Sequence, residues 1–218
     1  MLRFALVLAW STFLSCGSSA MAQNWPSRPV TLVVGFSAGG GTDVLARIVV
    51  RKLGEVLGQQ VVVENVGGAG GMVGSARVAK AAPDGYSVVM CTRADAINQT
   101  LYKRPLYNLL TDLVPVVLIA DQPGVLITRN EFPANSMPEF IEHLKKHQAT
   151  MQFASAGAGS TGHLDAMLLN SALGVKITHV PYRGGGPAMQ DIIGGRVDYI
   201  VTLTGSAVPL IHGNTVKA

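Results

Sequence analysis

Short apolar runs alternate with amphipathic stretches of helical period along most of this chain. Pro29 to Phe36 reads as a buried strand, and Asp43 to Leu57 as an amphipathic helix with Thr42 as its N-cap. Val44, Ile48 and Val49 or Arg51 mark the faces of that helix, and Gly58 stops it. A second strand, Gln60 to Glu64, leads through a glycine-rich loop, Asn65 to Gly71, to a short helix, Val73 to Ala82. Pro83-Asp84-Gly85 then turns the chain into a third strand, Tyr86 to Thr92. Such a βαβαβ unit implies a parallel sheet covered on both faces, with ligands at the carboxyl ends of its strands.

The pattern resumes with apolar runs at Val114 to Ala120 and Val125 to Thr128, expected as crossing strands at a lobe boundary. A helix at Met137 to His147 capped by Ser136, a strand at Gln152 to Ser155, a helix at Thr161 to Leu173 and a strand at Lys176 to Val180 follow. Helix Pro187 to Ile193, strand Arg196 to Val201 and helix Ser206 to His212 complete the layout, and a new strand is expected to begin at Val216. The expected architecture is α/β with two lobes, 23–118 and 119–218. The first has only three strands, few for a sheet with two covered faces.

The first residues read as an address. Arg3, the apolar stretch Phe4 to Leu14 and the small-residue site Ala20-Met21-Ala22 form an export signal at 1–22, cleaved before Gln23. Its apolar core is well short of the ~20 residues needed to span a bilayer. Reading Cys16 as a lipoprotein cysteine is the lesser alternative, because Leu14 falls one position too late. Cleavage leaves Cys91 alone, without an internal disulfide, and read as a small hydrophobe ending a buried strand.

Charge changes the picture little. Seventeen Lys and Arg against 13 Asp and Glu give a net charge of +4 with no basic block, and aromatics are 6%, which argues against nucleic acid.

Glycine carries more. Gly35 to Asp43 (GFSAGGGTD) and Ala154 to Leu164 (ASAGAGSTGHL) each follow a strand and open a helix. Unpaired backbone N–H groups and the positive end of a helix dipole meet at such a spot and favour an anion. Two of them suggest two lobes offering loops to one negatively charged ligand. A plain tight turn is the alternative at the first, yet Gly39-Gly40-Gly41 costs more backbone entropy than a turn requires. Gly41 stands where a nucleotide-binding P-loop needs lysine, which argues against an NTPase. Gly157, Gly159 and Gly162 fit G-x-G-x-x-G, so a nucleotide-binding enzyme stays open as an alternative. The strand that follows, however, ends in His179, Pro181, Tyr182 and Arg183 without the acid that holds a ribose. Ser155, Ser160, His163 and Asp165 invite a triad reading, but His163 and Asp165 point to different faces and no nucleophile elbow exists. His143 and His147 lack a third metal ligand. Arg93, after the third strand, is either a carboxylate clamp or an ion-pair partner of Asp95.

Together WPSRPVTLVVGFSAGGGTDVLAR, LGQQVVVENVGGAGG, AAPDGY, AINQTLY, FASAGAGSTGHL, HVPYRGGGPAMQDIIGGRVDY and SAVPLIHG make the chain, from Trp25 to its last residue, resemble the exported receptors of tripartite tricarboxylate transporters, the Bug receptors. The resemblance implies a two-lobed periplasmic binding protein of type II-like fold that closes on a small organic acid. It implies that the acid passes to a two-component membrane permease, and that the receptor is a monomer without catalysis, cofactor or metal. It carries the ligand-binding role to Phe36, Ser37, Ala38, Gly39, Gly40, Gly41, Thr42 and Asp43 in the first loop, and to Ser155, Ala156, Gly157, Ala158, Gly159, Ser160, Thr161 and His163 in the second. Ser37 and Ala38 stand where the family usually has prolines, and Thr202 where it often has a cleft-facing acid. With Arg93 nearby, the expectation is a ligand with a second acidic group. Family members continue for roughly another hundred residues that return to the first lobe, so a truncated relic that does not bind is a further alternative.

Overall fold

A computed structural model describes residues 24–218; the expected export signal, with Arg3 and Cys16, lies outside them. Two sheets organise the chain. In the first, β1 (Val30–Val34) lies between β2 (Val61–Asn65) and β3 (Ser87–Met90), all parallel. The expected βαβαβ unit is therefore present, with its crossovers made by α1 (Gly41–Leu57) and α2 (Met72–Ala79). Helix α1 packs Leu45, Ala46, Val50, Leu53 and Leu57 onto Val30, Leu32 and Val34, whereas Ile48 faces solvent. Gly58 ends it in a left-handed conformation, φ +65°, that a side chain would strain.

Two helices follow that periodicity did not reveal, α3 (Arg93–Leu101) and the single turn α4 (Leu109–Asp112). Thr92 and Asp95 form a capping box on α3. The buried Asp95 carboxylate also accepts from Tyr107 Oη at 2.6 Å and from Ser75 Oγ. Asp95 is thereby fully engaged and is not the partner of Arg93. Val114 to Ala120 is not a strand. It runs in irregular, exposed backbone, with Val116 87% accessible. Cys91 lies one residue beyond β3 and is exposed, so it is not the buried hydrophobe expected.

The second sheet has the order β6-β5-β7-β4-β8. Its parallel part comprises β5 (Gln152–Ser155), β6 (Thr178–Pro181) and β7 (Tyr199–Leu203). Strand β4 (Gly124–Arg129) is not a lobe-boundary crossing. It sits inside this sheet, antiparallel to β7 and to the short β8 (Val216–Lys217) that begins where the sequence predicts. Alternation along the strands supplies two cores. Phe153 and Tyr199 point to the face covered by α5 (Met137–His147) and α6 (Thr161–Leu173). Ala154 and Ile200 point to the face covered by α7 (Gly185–Ile193) and α8 (Thr204–His212). Truncating a fully buried aromatic such as Phe153 to alanine would cost about 3 to 5 kcal/mol. The N-termini of α6, α7 and α8 follow β5, β6 and β7 and so lie at the carboxyl ends of these strands, where they face the first sheet's loop.

Candidate functional site: the cleft between the glycine loops

The two predicted loops meet. The first is shaped from below by Asp43, 3% exposed, whose carboxylate accepts from Gly39 N–H at 3.0 Å, Arg47 Nε at 3.0 Å and Asn65 Nδ2 at 2.9 Å. Burial alone would raise the Asp43 carboxyl, but these three donors outweigh it and hold it below the usual carboxylate range. Asn65 Nδ2 also reaches Phe36 O at 3.0 Å, so one side chain clamps both ends of the loop. The cap of α1 is Gly40, which makes no side-chain bond to the helix; Thr42 lies inside the first turn and is not the N-cap.

The second loop is built on two neutral histidines. Fully buried Ser155 accepts from Gly157 N–H at 3.1 Å and lies 2.7 Å from His179 Nε2. Gly159 N–H donates to His163 Nδ1 at 3.3 Å, which requires that nitrogen to be unprotonated. The imidazoles of His163 and His179 stack at 4.2 Å, with Phe153 beneath His179 at 4.7 Å. Burial, reinforced by the neighbouring His163, brings His179 down to about 4, and burial lowers His163 as well. The set Ser155, Ser160, His163 and Asp165 makes no triad, because Ser155 and His163 are both occupied in holding the loop. The rings of His143 and His147 lie 4.2 Å apart, tilted by 30°, and among the described residues no cluster of three His, Cys, Asp or Glu could hold a metal.

Glycines let the lobes touch through their backbones. A Cβ on Gly70 would lie 2.6 Å from Ala158 O, and one on Gly186 would overlap Ala38 O. Tyr102 Oη donates to Ala158 O at 3.2 Å, and Ser37 N–H to Arg183 O at 3.1 Å. Arg93 faces across the cleft too, its guanidinium 3.8 Å from Asp165. The ion-pair partner of Arg93 is Asp165 and not the expected Asp95, and Arg93 lies outside the cavity wall.

Between the loops lies a cavity of about 60 Å³, room for about four waters at ~15 Å³ each. Of the predicted residues, Phe36, Gly40, Gly41 and Thr42 line it from the first loop, Ala156, Ser160 and Thr161 from the second, and Thr202 from the end of β7. Ser37, Ala38, Gly39, Asp43, Ser155, Gly157, Ala158, Gly159 and His163 are not in its wall; those whose contacts are given above hold the loops or join the lobes. Sequence reasoning missed Thr92, Gly124, Gly162, Asp165, Gly185, Ile200, Val201 and Leu203 in the wall. Gly185 was findable: Gly184-Gly185-Gly186 follows a strand and opens a helix as Gly39-Gly40-Gly41 does.

Five helices, α1, α3, α6, α7 and α8, thus start at this cavity. Thr92 caps α3 and Ser160 caps α6, but α1, α7 and α8 have no side-chain cap. Their first turns carry partial positive charge and have no side-chain acceptor at the cap, though Thr204 N–H of α8 donates to Pro123 O at 3.2 Å; the starts of α1 and α7 are a setting made for an anion. A dinucleotide has no room along Gly157 to Gly162, where the Gly70 backbone packs against Ala158 and Gly159.

The family model for the tripartite tricarboxylate transporter family receptor matches residues 45–218. A UPF0065 protein from the TAR-I ttuE-ttuC' intergenic region of Agrobacterium vitis is 41% identical over 216 residues, covering 99% of this chain and 62% of its own. The structure of the periplasmic binding protein BugD superposes with a TM-score of 0.87 at 41% identity, over 89% of this chain and 65% of that one. MatC from Rhodopseudomonas palustris, solved with bound malate, gives 0.82 at 38% identity, over 89% and 66%. The chain spans about two thirds or less of the length of these relatives. With the two-lobed α/β fold of a periplasmic binding protein and a cavity at the meeting of its glycine loops, the chain belongs to the tripartite tricarboxylate transporter receptors of the Bug type, a family of solute receptors and not of enzymes.

Proposed function

We propose that this protein captures a small organic carboxylate in the cavity between its lobes and delivers it to a two-component membrane permease. The observation that carries the reading is the convergence of three helix N-termini without side-chain caps on one cavity. A carboxylate there accepts from backbone N–H groups of Gly41, Thr42 and Gly185, directly or through water, each such charge-assisted bond contributing about 1.5 to 3 kcal/mol. Thr42, Ser160, Thr161 and Thr202 add hydroxyls, and Phe36 and Ala156 an apolar wall. Malate in the similar MatC supports a ligand of this class. The protein works as an exported monomer in the periplasm, its signal removed before Gln23, and uses no cofactor.

Thermal unfolding with a panel of mono-, di- and tricarboxylates, and NAD as control, tests the capture. A midpoint that rises with the concentration of one acid is expected. Stabilisation by NAD alone, or by no acid, overturns the reading. Delivery is tested by uptake of the labelled acid into vesicles that carry the permease, which should depend on added receptor.

A further inference from the structure

The cavity wall contains a single ionised side chain, and it is an acid. Asp165, on the first turns of α6, is one third exposed, and its carboxylate lies 3.6 Å from where a side chain on Gly124 would begin. Among the described residues it accepts no hydrogen bond. The guanidinium of Arg93 pairs with it at 3.8 Å and is itself 63% exposed, a distance that leaves the carboxylate lone pairs open. A second acceptor without a donor, outside the cavity wall, is Gln122 Oε1, buried beside the starts of α1 and α8, 3.1 Å from a Cβ placed on Gly205.

A ligand that fills this cavity strips water from Asp165. If the ligand carried only carboxylates, Asp165 would be left beside a like charge with only the exposed Arg93 opposite it and no hydrogen bond. An ammonium group supplies both the missing charge and the missing donors. From this we infer that Asp165 is a specificity-determining residue which selects acids bearing an amino group: the ligand is an amino acid, its carboxylate on the uncapped helix N-termini and its ammonium on Asp165. This rests on the carboxylate-receptor reading above and narrows its substrate class. The position of the cation at the cleft edge explains why Arg93 does not cancel the selection: it offsets the field of Asp165 in the empty cleft without occupying its acceptor sites.

Calorimetric titration of the unaltered protein with matched triplets tests the inference: aspartate, malate and succinate, then glutamate, 2-hydroxyglutarate and glutarate, then alanine, lactate and propionate. In whichever triplet binds, the amino acid should bind about tenfold or more tightly than its deamino twin, the loss expected for one charge-assisted bond. In Asp165→Asn the amino acid should lose that advantage while the deamino acid holds or gains affinity. Equal binding of amino and deamino twins, or an amino preference that survives Asp165→Asn, overturns the selection and leaves the carboxylate reading standing. Binding of no acid in any triplet overturns both.

Discussion

Gly186→Ala should separate closure from folding. Gly186 is the second residue of α7, has ordinary helical backbone and lies outside the cavity wall, yet the added methyl would overlap Ala38 O and sit 3.2 Å from the Ala38 carbonyl carbon. Ala38 belongs to the first lobe and Gly186 to the second, so the methyl acts as a wedge between them. Relieving it requires the lobes to part by on the order of 1 Å, beyond which the backbone contacts of the closed cleft are lost. Overpacking of this kind costs about 1 to 3 kcal/mol, which in a ligand that needs both loops becomes an affinity loss of about 5-fold to 150-fold. Within the helix the same change is favourable by up to about 1 kcal/mol, because alanine replaces glycine. The expected result is therefore weakened carboxylate binding by calorimetry, a larger radius of gyration in solution scattering, and a melting midpoint of the free protein near that of the parent. Parent-like affinity in Gly186→Ala would refute the argument that the ligand is held by both loops at once.

Acid should weaken the protein through the histidine stack. His179 is lowered to about 4 in the folded chain, so between pH 6.5 and 4 the unfolded chain binds the extra proton and stability falls as pH falls. Urea unfolding across that window should show a slope that His179→Gln reduces; an unchanged slope rejects the role of the stack. Asp43→Ala removes the acceptor for Gly39 N–H, Arg47 and Asn65, and should cost about 2 to 4 kcal/mol in chemical denaturation. Because the Asp43 carboxyl is held below its ordinary value, its stabilisation is present above pH 3.8 and is lost only as pH falls through the folded value. A variant as stable as the parent at neutral pH would show that the loop does not depend on this carboxylate.

Elements with strong periodicity or clear end signals were legible before the structure: α1 and α5 by their period, α6 by Ser160 and Gly174 at its ends, and the buried strands, all within a few residues of their expected bounds. What the sequence hid was set by tertiary partners. Val114 to Ala120 is as β-branched as any strand here, but backbone pairing and not composition makes a strand, and among the described residues no strand pairs with it. Helix α3 was missed because its one strong local signal, Thr92 with Asp95, reads as a loop unless the buried partners Ser75 and Tyr107 are known. Both glycine loops were found from spacing, since strand, glycines and helix are contiguous. The third helix start, at Gly185, carries the same contiguous signal, whereas the acid at Asp165 does not, because only folding brings it to one cavity with Gly40 and Gly185.

A pocket whose strongest attraction comes from main-chain N–H groups has an uncommon relation to heredity. No codon change deletes an amide proton except one that installs proline, so the grip proposed for a carboxylate at Gly41, Thr42 and Gly185 would survive drift in almost every neighbouring side chain. Substitutions at Asp165 or Thr202 can then exchange one acid for another without risking the anchor. Alanine scanning is blind to that anchor for the same reason; replacing single amides by esters at these positions would reveal it.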